Sequence, residues 1–226
     1  MQRLYVKNRF LAFSFVVMTS LSGGVLSACS TTSQAQNETP KATVTDANNQ
    51  QQHHDHSMDM DLGPADADYE LRFIDAMIMH HQGAVDMAKE AQQKSKRTEI
   101  KQLGTDIIKA QNQEIAQMKQ WRTAWYPKAG DQPMAYDAKM GHMMAMSPQQ
   151  QQAMMMSMDL GTTDAEFDLR FINAMIPHHE GAVVMAQDAL QKSQRSEIQK
   201  LAQAIIKAQK GEIQQMEQWR KAWYNK

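Results

Sequence analysis

The sequence has a single cysteine, Cys29, and almost no net charge, with 24 Lys and Arg against 25 Asp and Glu. A lone cysteine near the N-terminus offers no Cys/His arrangement for nucleophilic catalysis. A net charge of -1 without a basic stripe gives no electrostatic basis for binding nucleic acid. No Gly-rich phosphate loop is present. The one long apolar run, at residues 10–26, is too short and too often broken by Ser and Gly to predict a membrane span.

That apolar run follows a short basic start, which is the layout of an export signal over residues 1–28. The box "LSAC" that ends at Cys29 resembles a bacterial lipoprotein signal, in which the cysteine is lipidated and anchors the protein to a membrane. The alternative is an ordinary signal peptide cut near Ala28. Either interpretation places the mature protein in the periplasm or cell envelope.

Residues 29–60 are rich in Ser, Thr, Gln and Asn and have few large apolar side chains, which predicts a disordered tether. The tether ends in "HHDHSMDM", which is either a flexible chelator or a low-complexity linker. Its candidate metal ligands are His53, His54, His56, Met58 and Met60.

The rest of the chain contains a gapless internal repeat. Residues 61–128 align with residues 159–226 at an offset of 98, and 43 of the 68 aligned positions are identical, which indicates a duplication. Each repeat has two stretches of three-and-four apolar spacing joined by about four residues, which predicts an antiparallel helical hairpin. Two hairpins that bury their apolar faces together predict an all-α four-helix bundle. Whether they pair within one chain or between chains, and the oligomeric state, stay open.

Several helix starts are predicted from hydroxyl side chains. Thr98 and Ser196 are expected as N-caps of the second helix of each repeat, and Thr163 with Glu166 as a capping box. The linker at residues 129–158 is expected to be loop apart from a short helix that begins at Ser147 and Pro148.

A pair of adjacent histidines lies in the first helix of each repeat, at His80–His81 and at His178–His179. A single histidine on an apolar face is usually a hydrogen-bonded core residue. Here the pair is doubled, and a methionine precedes it by one turn on the same face. A mid-helix glycine follows each pair two residues later, Gly83 in the first repeat and Gly181 in the second. Because such a glycine costs about 1 kcal/mol relative to Ala, a close approach is expected at both.

Hairpin geometry predicts the partners of each pair. Residues at equal distance from the hairpin turn lie at the same height, so His81 is expected beside Glu114, and His179 beside Glu212. The two glutamates are either ligands or charges at the edge of the core. Met77 is expected to face Met118, and Met175 to face Met216. His80 and His178 are expected on a different helix face from His81 and His179, on the same side as Met87 and Met185 respectively.

The 20 methionines of the chain are far more than usual. Thioether sulfur favours Cu(I), with Ag(I) as its soft analogue, and imidazole suits copper in either oxidation state. A Met/His site without cysteine fits copper outside the cytoplasm, where thiols tend to oxidise. The linker segment "KMGHMMAM" is a weaker candidate, either for recruiting metal or for adaptable packing. Its candidate ligands are Met140, His142, Met143, Met144 and Met146.

The segments "FIDAMIMHHQGAVDMA" and "FINAMIPHHEGAVVMA", each followed by a "QMKQWRTAWY"-type ending, resemble the bacterial family called domain of unknown function 305. The resemblance implies a ferritin-like four-helix bundle and periplasmic copper binding linked to copper tolerance. Met79 of the first repeat, a further candidate ligand, is replaced by Pro177 in the second. Carried over position by position, the implied ligands are Met77, His80, His81, Met87, Met118, Met175, His178, His179, Met185 and Met216.

The leading hypothesis is therefore an exported copper-binding protein, not an enzyme, that sequesters the metal or hands it to a partner such as a copper exporter or metallochaperone. One alternative is a carboxylate-metal oxidase or ferroxidase of the ferritin type. Such sites use Glu-x-x-His sequences on two helices, and this chain has none. The other alternative, a metal-free helical scaffold, leaves the doubled histidine pair unexplained.

Overall fold

The computed structural model describes residues 61–226, which form five helices and a two-stranded sheet. The export signal, Cys29, the tether and its His/Met cluster lie outside the described residues. The elements in chain order are α1 (Tyr69–Lys94), α2 (Thr98–Trp125), β1 (Met134–Asp137), β2 (His142–Ala145), α3 (Pro148–Met155), α4 (Phe167–Lys192) and α5 (Ser196–Tyr224). The four long helices confirm the predicted all-α bundle. Within the described part, no helix is long and apolar enough to cross a membrane.

Each repeat folds as a helical hairpin, with α1 packed on α2 and α4 packed on α5. Three residues connect the helices of each pair, and a serine organises the connection. The Ser95 hydroxyl accepts a hydrogen bond from the Arg97 backbone N–H at 3.0 Å, and Ser193 does the same for Arg195 at 3.1 Å. The short connections hold the two helices of a repeat antiparallel.

The three predicted hydroxyl caps of the long helices are wrong. Arg97 and Arg195 occupy the N-cap positions of α2 and α5 without a side-chain bond, because the upstream serines already turn the chain. Helix α4 begins at Phe167, after the predicted capping box, and Glu166 is its N-cap residue. The Glu166 backbone N–H donates instead to the Asp164 carboxylate at 2.9 Å, as in an Asx turn.

The two hairpins pack against each other through α1 and α4, so the bundle forms within one chain. The turn of each hairpin meets the far end of the other. The Arg97 guanidinium lies 4.1 Å from the ring centre of Trp223, and that of Arg195 lies 4.1 Å from the ring centre of Trp125. These cation–π contacts tie the two repeats together at both ends of the bundle.

The buried core is divided into two clusters. One joins the N-terminal half of α1 and residues of α2 to the C-terminal half of α4 and the start of α5. The other joins the C-terminal half of α1 and the start of α2 to the N-terminal half of α4 and the end of α5. Both histidine pairs lie in the helix segments between these clusters, at mid-bundle.

The linker is more ordered than predicted. Helix α3 begins as expected, with a capping box in which the Ser147 hydroxyl and the Gln150 side chain bond each other's backbone N–H groups. The stretch before it is a β-hairpin rather than a loop, in which Asp137 pairs with His142. The Asp137 carboxylate also accepts the backbone N–H groups of Lys139 and Met140 in the turn. Strands of four residues are too short to show a period-2 pattern in the sequence.

The linker docks on the first repeat through a buried ion pair between Asp75 of α1 and Arg122 of α2. Arg122 also donates to the backbone carbonyls of Gly130 and Gln132, and Asp75 accepts the backbone N–H of Met134 at 2.9 Å. This network joins the start of the β-hairpin to the first repeat.

Candidate metal centre

Four histidines meet at the middle of the bundle, and we call His80, His81, His178 and His179 the histidine layer. All four are fully buried. His80 and His178 contact each other across the interface of α1 and α4, with ring centres 3.9 Å apart. His80 and His178 point to a different helix face from His81 and His179, as expected, and this brings one histidine of each repeat together at the centre.

Each remaining histidine of the layer bonds a glutamate at the same height, as the hairpin register predicted. His81 Nε2 lies 2.7 Å from a Glu114 carboxylate oxygen, and His179 Nε2 lies 2.6 Å from one of Glu212. An ionised carboxylate can only accept a hydrogen bond, so each Nε2 carries the proton and donates it. The Nδ1 atom of each ring then keeps its lone pair.

The linker provides the matching partner for His178. Its Nε2 lies 3.1 Å from the backbone carbonyl oxygen of Met155, the last residue of α3. A carbonyl can only accept, so this ring too keeps its lone pair on Nδ1. His80 has no partner for either nitrogen among the described residues.

Five buried imidazole nitrogens therefore lack a hydrogen-bond partner within residues 61–226: His80 Nδ1, His80 Nε2, His81 Nδ1, His178 Nδ1 and His179 Nδ1. Most buried polar atoms in proteins are satisfied, and each that is not costs about 1–3 kcal/mol. Such a concentration at one level suits ligand atoms for a metal ion. Metal-bound histidines characteristically donate their other nitrogen to a carboxylate or a carbonyl, which is the arrangement of His81, His178 and His179.

Burial keeps the central histidines neutral. Burial, with a smaller contribution from neighbouring His178, holds the pKa of His80 well below its ordinary value. Burial likewise lowers the pKa of His178 to about 3, with His179 adding to the shift. Neutral imidazole is the form that binds metal, so these rings would not have to lose a proton before binding one at neutral pH.

Six buried methionines flank the histidine layer in two sets of three. Met77 and Met118 of the first repeat share a cluster with Met185 of the second. The second set is its counterpart and consists of Met175, Met216 and Met87. The structure places Met77 and Met118 in one cluster and Met175 and Met216 in the other, in agreement with the predicted pairing. Met87 and Met185 each lie in the set of the other repeat, so each set draws on both hairpins.

Between residues 61 and 226, no group of three or more His, Cys, Asp or Glu side chains is arranged to hold an ion. Glu114 and Glu212 orient histidines and lie partly exposed at the edge of the layer.

The structure adds two residues that sequence reasoning missed, Gln111 of α2 and Gln209 of α5. Both are buried, and the side-chain carbonyl oxygen of each lacks a partner in the described chain. They occupy equivalent positions one turn before the two glutamates. The signal that identifies them is the segment "IIKAQ", which is kept unchanged in both repeats although glutamine on a core-facing stripe is unusual.

The expected close approach at Gly83 is confirmed. A Cβ atom on Gly83 would lie 1.7 Å from the carbonyl oxygen of Met155, so the end of α3 packs directly on the backbone of α1. Met79 is half-buried and Pro177, its counterpart, is exposed. Helix α4 continues through Pro177.

The candidate ligands of the linker lie on the β-hairpin and just beyond it, not in the histidine layer. Met140, His142 and Met144 are exposed, Met143 is half-buried, and Met146 is buried. The His142 ring bonds the backbone carbonyl of Met143 at 3.0 Å.

The fold and this centre define a duplicated four-helix-bundle protein with methionine and histidine at its core. The chain belongs to the DUF305 family, since the family model described as "Domain of unknown function (DUF305)" matches residues 70–220. No curated protein sequence shows significant similarity to it.

Solved structures of CopM are similar to this chain. The Cu(II)-bound form shares 40% sequence identity over 69% of this chain and 97% of that chain, with a TM-score of 0.55. The Cu(I)-bound form shares 37% with the same coverage and a TM-score of 0.54. The Ag-bound form from co-crystallisation also shares 37%, with the same coverage and a TM-score of 0.54. Copper and silver binding thus occurs in a relative of this chain.

Proposed function

We propose that this protein binds copper, mainly as Cu(I) and with silver as a soft analogue, between its two hairpins. The ligands are neutral imidazole Nδ1 atoms of the histidine layer and thioethers of the two methionine sets. The observation that carries the proposal is the group of buried, unpartnered imidazole nitrogens. In three of the four rings, the other nitrogen is already held by a carboxylate or a carbonyl.

The methionine sets support a soft monovalent ion. Thioether sulfur prefers Cu(I) to harder divalent metals, while imidazole binds both oxidation states of copper. The binding of Cu(I), Cu(II) and Ag by CopM agrees with that ligand chemistry. Because each set draws on both hairpins, binding would also link the repeats and stabilise the folded chain.

Sequestration, copper tolerance or handover suits these residues better than turnover, so we propose a binding protein rather than an enzyme. The two glutamates of the centre bond histidines, whereas a ferritin-type oxidase requires glutamates as metal ligands. A metal-free scaffold is disfavoured by physical cost. It would bury five imidazole nitrogens that have no hydrogen-bond partner within residues 61–226, at about 1–3 kcal/mol each.

We also propose that the protein acts outside the cytoplasm, in the periplasm or cell envelope, anchored through lipidated Cys29. The basis is the export-signal pattern at residues 1–28. Its macromolecular partners would then be a copper exporter or a metallochaperone that gives or receives the ion.

The test is an anaerobic titration of residues 30–226 with Cu(I) against a competing chromophoric chelator. Omitting Cys29 removes a thiol that would otherwise compete for the ion. The double variant His81→Ala/His179→Ala is expected to lose the tightly bound Cu(I) of the centre, while His142→Ala, which truncates an exposed histidine, is expected to keep it. An unchanged number of tightly bound Cu(I) equivalents in the double variant would contradict the proposed centre.

A further inference from the structure

A second cluster of methionines lies outside the bundle centre, around a cavity of about 200 Å³ between α1, the β-hairpin and α3. Three thioether side chains line it, those of Met134, Met146 and Met154. They come from three separate elements: the first residue of β1, the residue after β2, and α3. Helical or strand periodicity does not explain why three methionines from different elements face one cavity.

The backbone fixes two of these methionines in place. The Met134 backbone N–H donates to the buried carboxylate of Asp75 at 2.9 Å, and the Met146 backbone N–H donates to the Pro133 carbonyl at 2.7 Å. Met154 belongs to α3, which starts at a complete capping box. The thioethers are thus flexible side chains on a fixed frame, which lets them close around a small ligand.

The guanidinium of Arg72, which lines the cavity, already has hydrogen-bond and ion-pair partners. Arg72 donates to the backbone carbonyls of Leu62 and Pro64 at 2.6 and 2.7 Å, and it forms an ion pair with Asp66. It therefore does not require an anionic ligand. Asp61 also lines the cavity, and its carboxylate accepts the Gly63 backbone N–H at 2.9 Å and lies 4.0 Å from the Lys192 ammonium.

We propose that this cavity is a separate site for one soft monovalent cation, Cu(I) or Ag(I), held by Met134, Met146 and Met154. Three thioethers are donors that such an ion prefers. The linker occurs once in the chain, so there is one such site per molecule. The site shares no ligand with the histidine layer and does not depend on metal binding there.

The first test is the number of Ag(I) equivalents bound by residues 30–226, measured by competition and by metal analysis after desalting. The double variant Met134→Leu/Met154→Leu conserves side-chain volume but removes two sulfurs. It is expected to bind one equivalent fewer than the unaltered chain. The control Met158→Leu changes a methionine that is 59% exposed and is not a candidate ligand, and it is expected to bind the unaltered number.

The second test needs no variant to fold. In a chain labelled with ¹³C at the methionine methyl groups, Ag(I) is expected to shift the signals of the three cavity methionines together, and single Met→Leu changes assign those signals. Unshifted signals, or an unchanged number of equivalents in the cavity variant, would overturn the proposal. The same loss in the control variant would also overturn it.

The cavity and the histidine layer are separated by a third measurement. In the His81→Ala/His179→Ala background, the three cavity signals are expected to shift as before. If the cavity signals shift but the histidine substitutions do not weaken Cu(I) binding at the centre, the cavity site stands and the proposed function fails. If the histidine substitutions weaken Cu(I) binding at the centre but the cavity signals do not shift, the proposed function stands and the cavity site fails.

Discussion

The two hairpins of this chain are identical at 43 of 68 aligned positions, yet the linker packs mainly on the first. Both contain a buried histidine pair, a His–Glu hydrogen bond and the same three buried methionine positions. They differ at the linker's anchor, where Asp75 of the first repeat forms an ion pair with Arg122. The second repeat has Asn173 there, 3.5 Å from Arg220. The repeat that has the carboxylate is thus the one on which the linker mainly docks.

The difference reaches the metal centre through α3. The Met155 carbonyl packs on Gly83 of the first repeat and accepts a hydrogen bond from His178 of the second. His80, the counterpart of His178, has no such bond. Duplication therefore supplies a symmetric set of candidate ligands, and the linker makes the two halves unequal.

The largest expected effect is acid destabilisation of the metal-free bundle. His80 and His178 have lowered pKa values when folded, while in the unfolded chain each titrates at about 6.5. As pH falls below 6.5 the unfolded state takes up protons first, so the stability present above that pH is lost, by up to about 1.4 kcal/mol per pH unit for each ring.

Urea denaturation between pH 7 and pH 4.5, with a chelator present, measures this loss. The variants His80→Leu and His178→Leu should each reduce the slope of the unfolding free energy against pH by about the contribution of one bound proton. A pH dependence that neither change alters would mean that these rings are not the groups responsible.

A smaller effect on stability is expected at Gly83, where the end of α3 packs on the first repeat. In Gly83→Ala the new methyl group clashes with the Met155 backbone, and overpacking of this kind costs about 1–3 kcal/mol. The matched control is Gly211→Ala in α5, where a Cβ meets nothing within 4 Å, and it should gain up to about 1 kcal/mol. Chemical denaturation of both variants tests the difference. Equal effects would show that α3 does not rest on Gly83.

The anchor itself is tested by Asp75→Asn, which gives the first repeat the residue of the second. Arg122 keeps its two carbonyl partners, so we expect a loss of about 2 kcal/mol, the range for hydrogen bonds to charged groups. Asn173→Ala, at an exposed position, should change stability by less than about 0.5 kcal/mol. Thermal unfolding compares the two. If Asp75→Asn is as mild as Asn173→Ala, the ion pair does not hold the linker.

The smallest expected effect concerns the residues that the two hairpins share. Glu114→Gln and Glu212→Gln keep a hydrogen-bond acceptor for each histidine but remove its charge, so each should weaken Cu(I) binding about tenfold. Chelator competition measures the loss. Because His178 is held by the linker rather than by a glutamate, neither change should abolish binding. Complete loss in one variant would instead make that glutamate a direct ligand.

The sequence was informative wherever one helix or one hairpin determines the geometry. The repeat and the apolar spacing predicted the long helices, and equal distance from the turn was enough to place His81 beside Glu114. Apolar spacing and distance from the turn do not predict contacts between the two hairpins. The exchange of Met87 and Met185 between the repeats, and the contact of His80 with His178, depend on how α1 crosses α4, which no local period encodes.

The linker shows a second limit of sequence reasoning. Gly83 indicated that something approaches α1, but not that it is the end of α3. The sequence assigned that helix correctly from Ser147 and Pro148, while the position of a docked helix depends on tertiary contacts such as the Asp75–Arg122 pair.

The central claim is that buried imidazole Nδ1 atoms in the middle of the bundle bind a soft metal ion. The most direct measurement is ¹⁵N NMR of histidine-labelled residues 30–226, without metal and with Ag(I). We expect the metal-free rings of His81, His178 and His179 to carry their proton on Nε2, and their Nδ1 signals to shift when Ag(I) is added. Nδ1 signals of the histidine layer that stay unchanged at saturating Ag(I) would contradict the account.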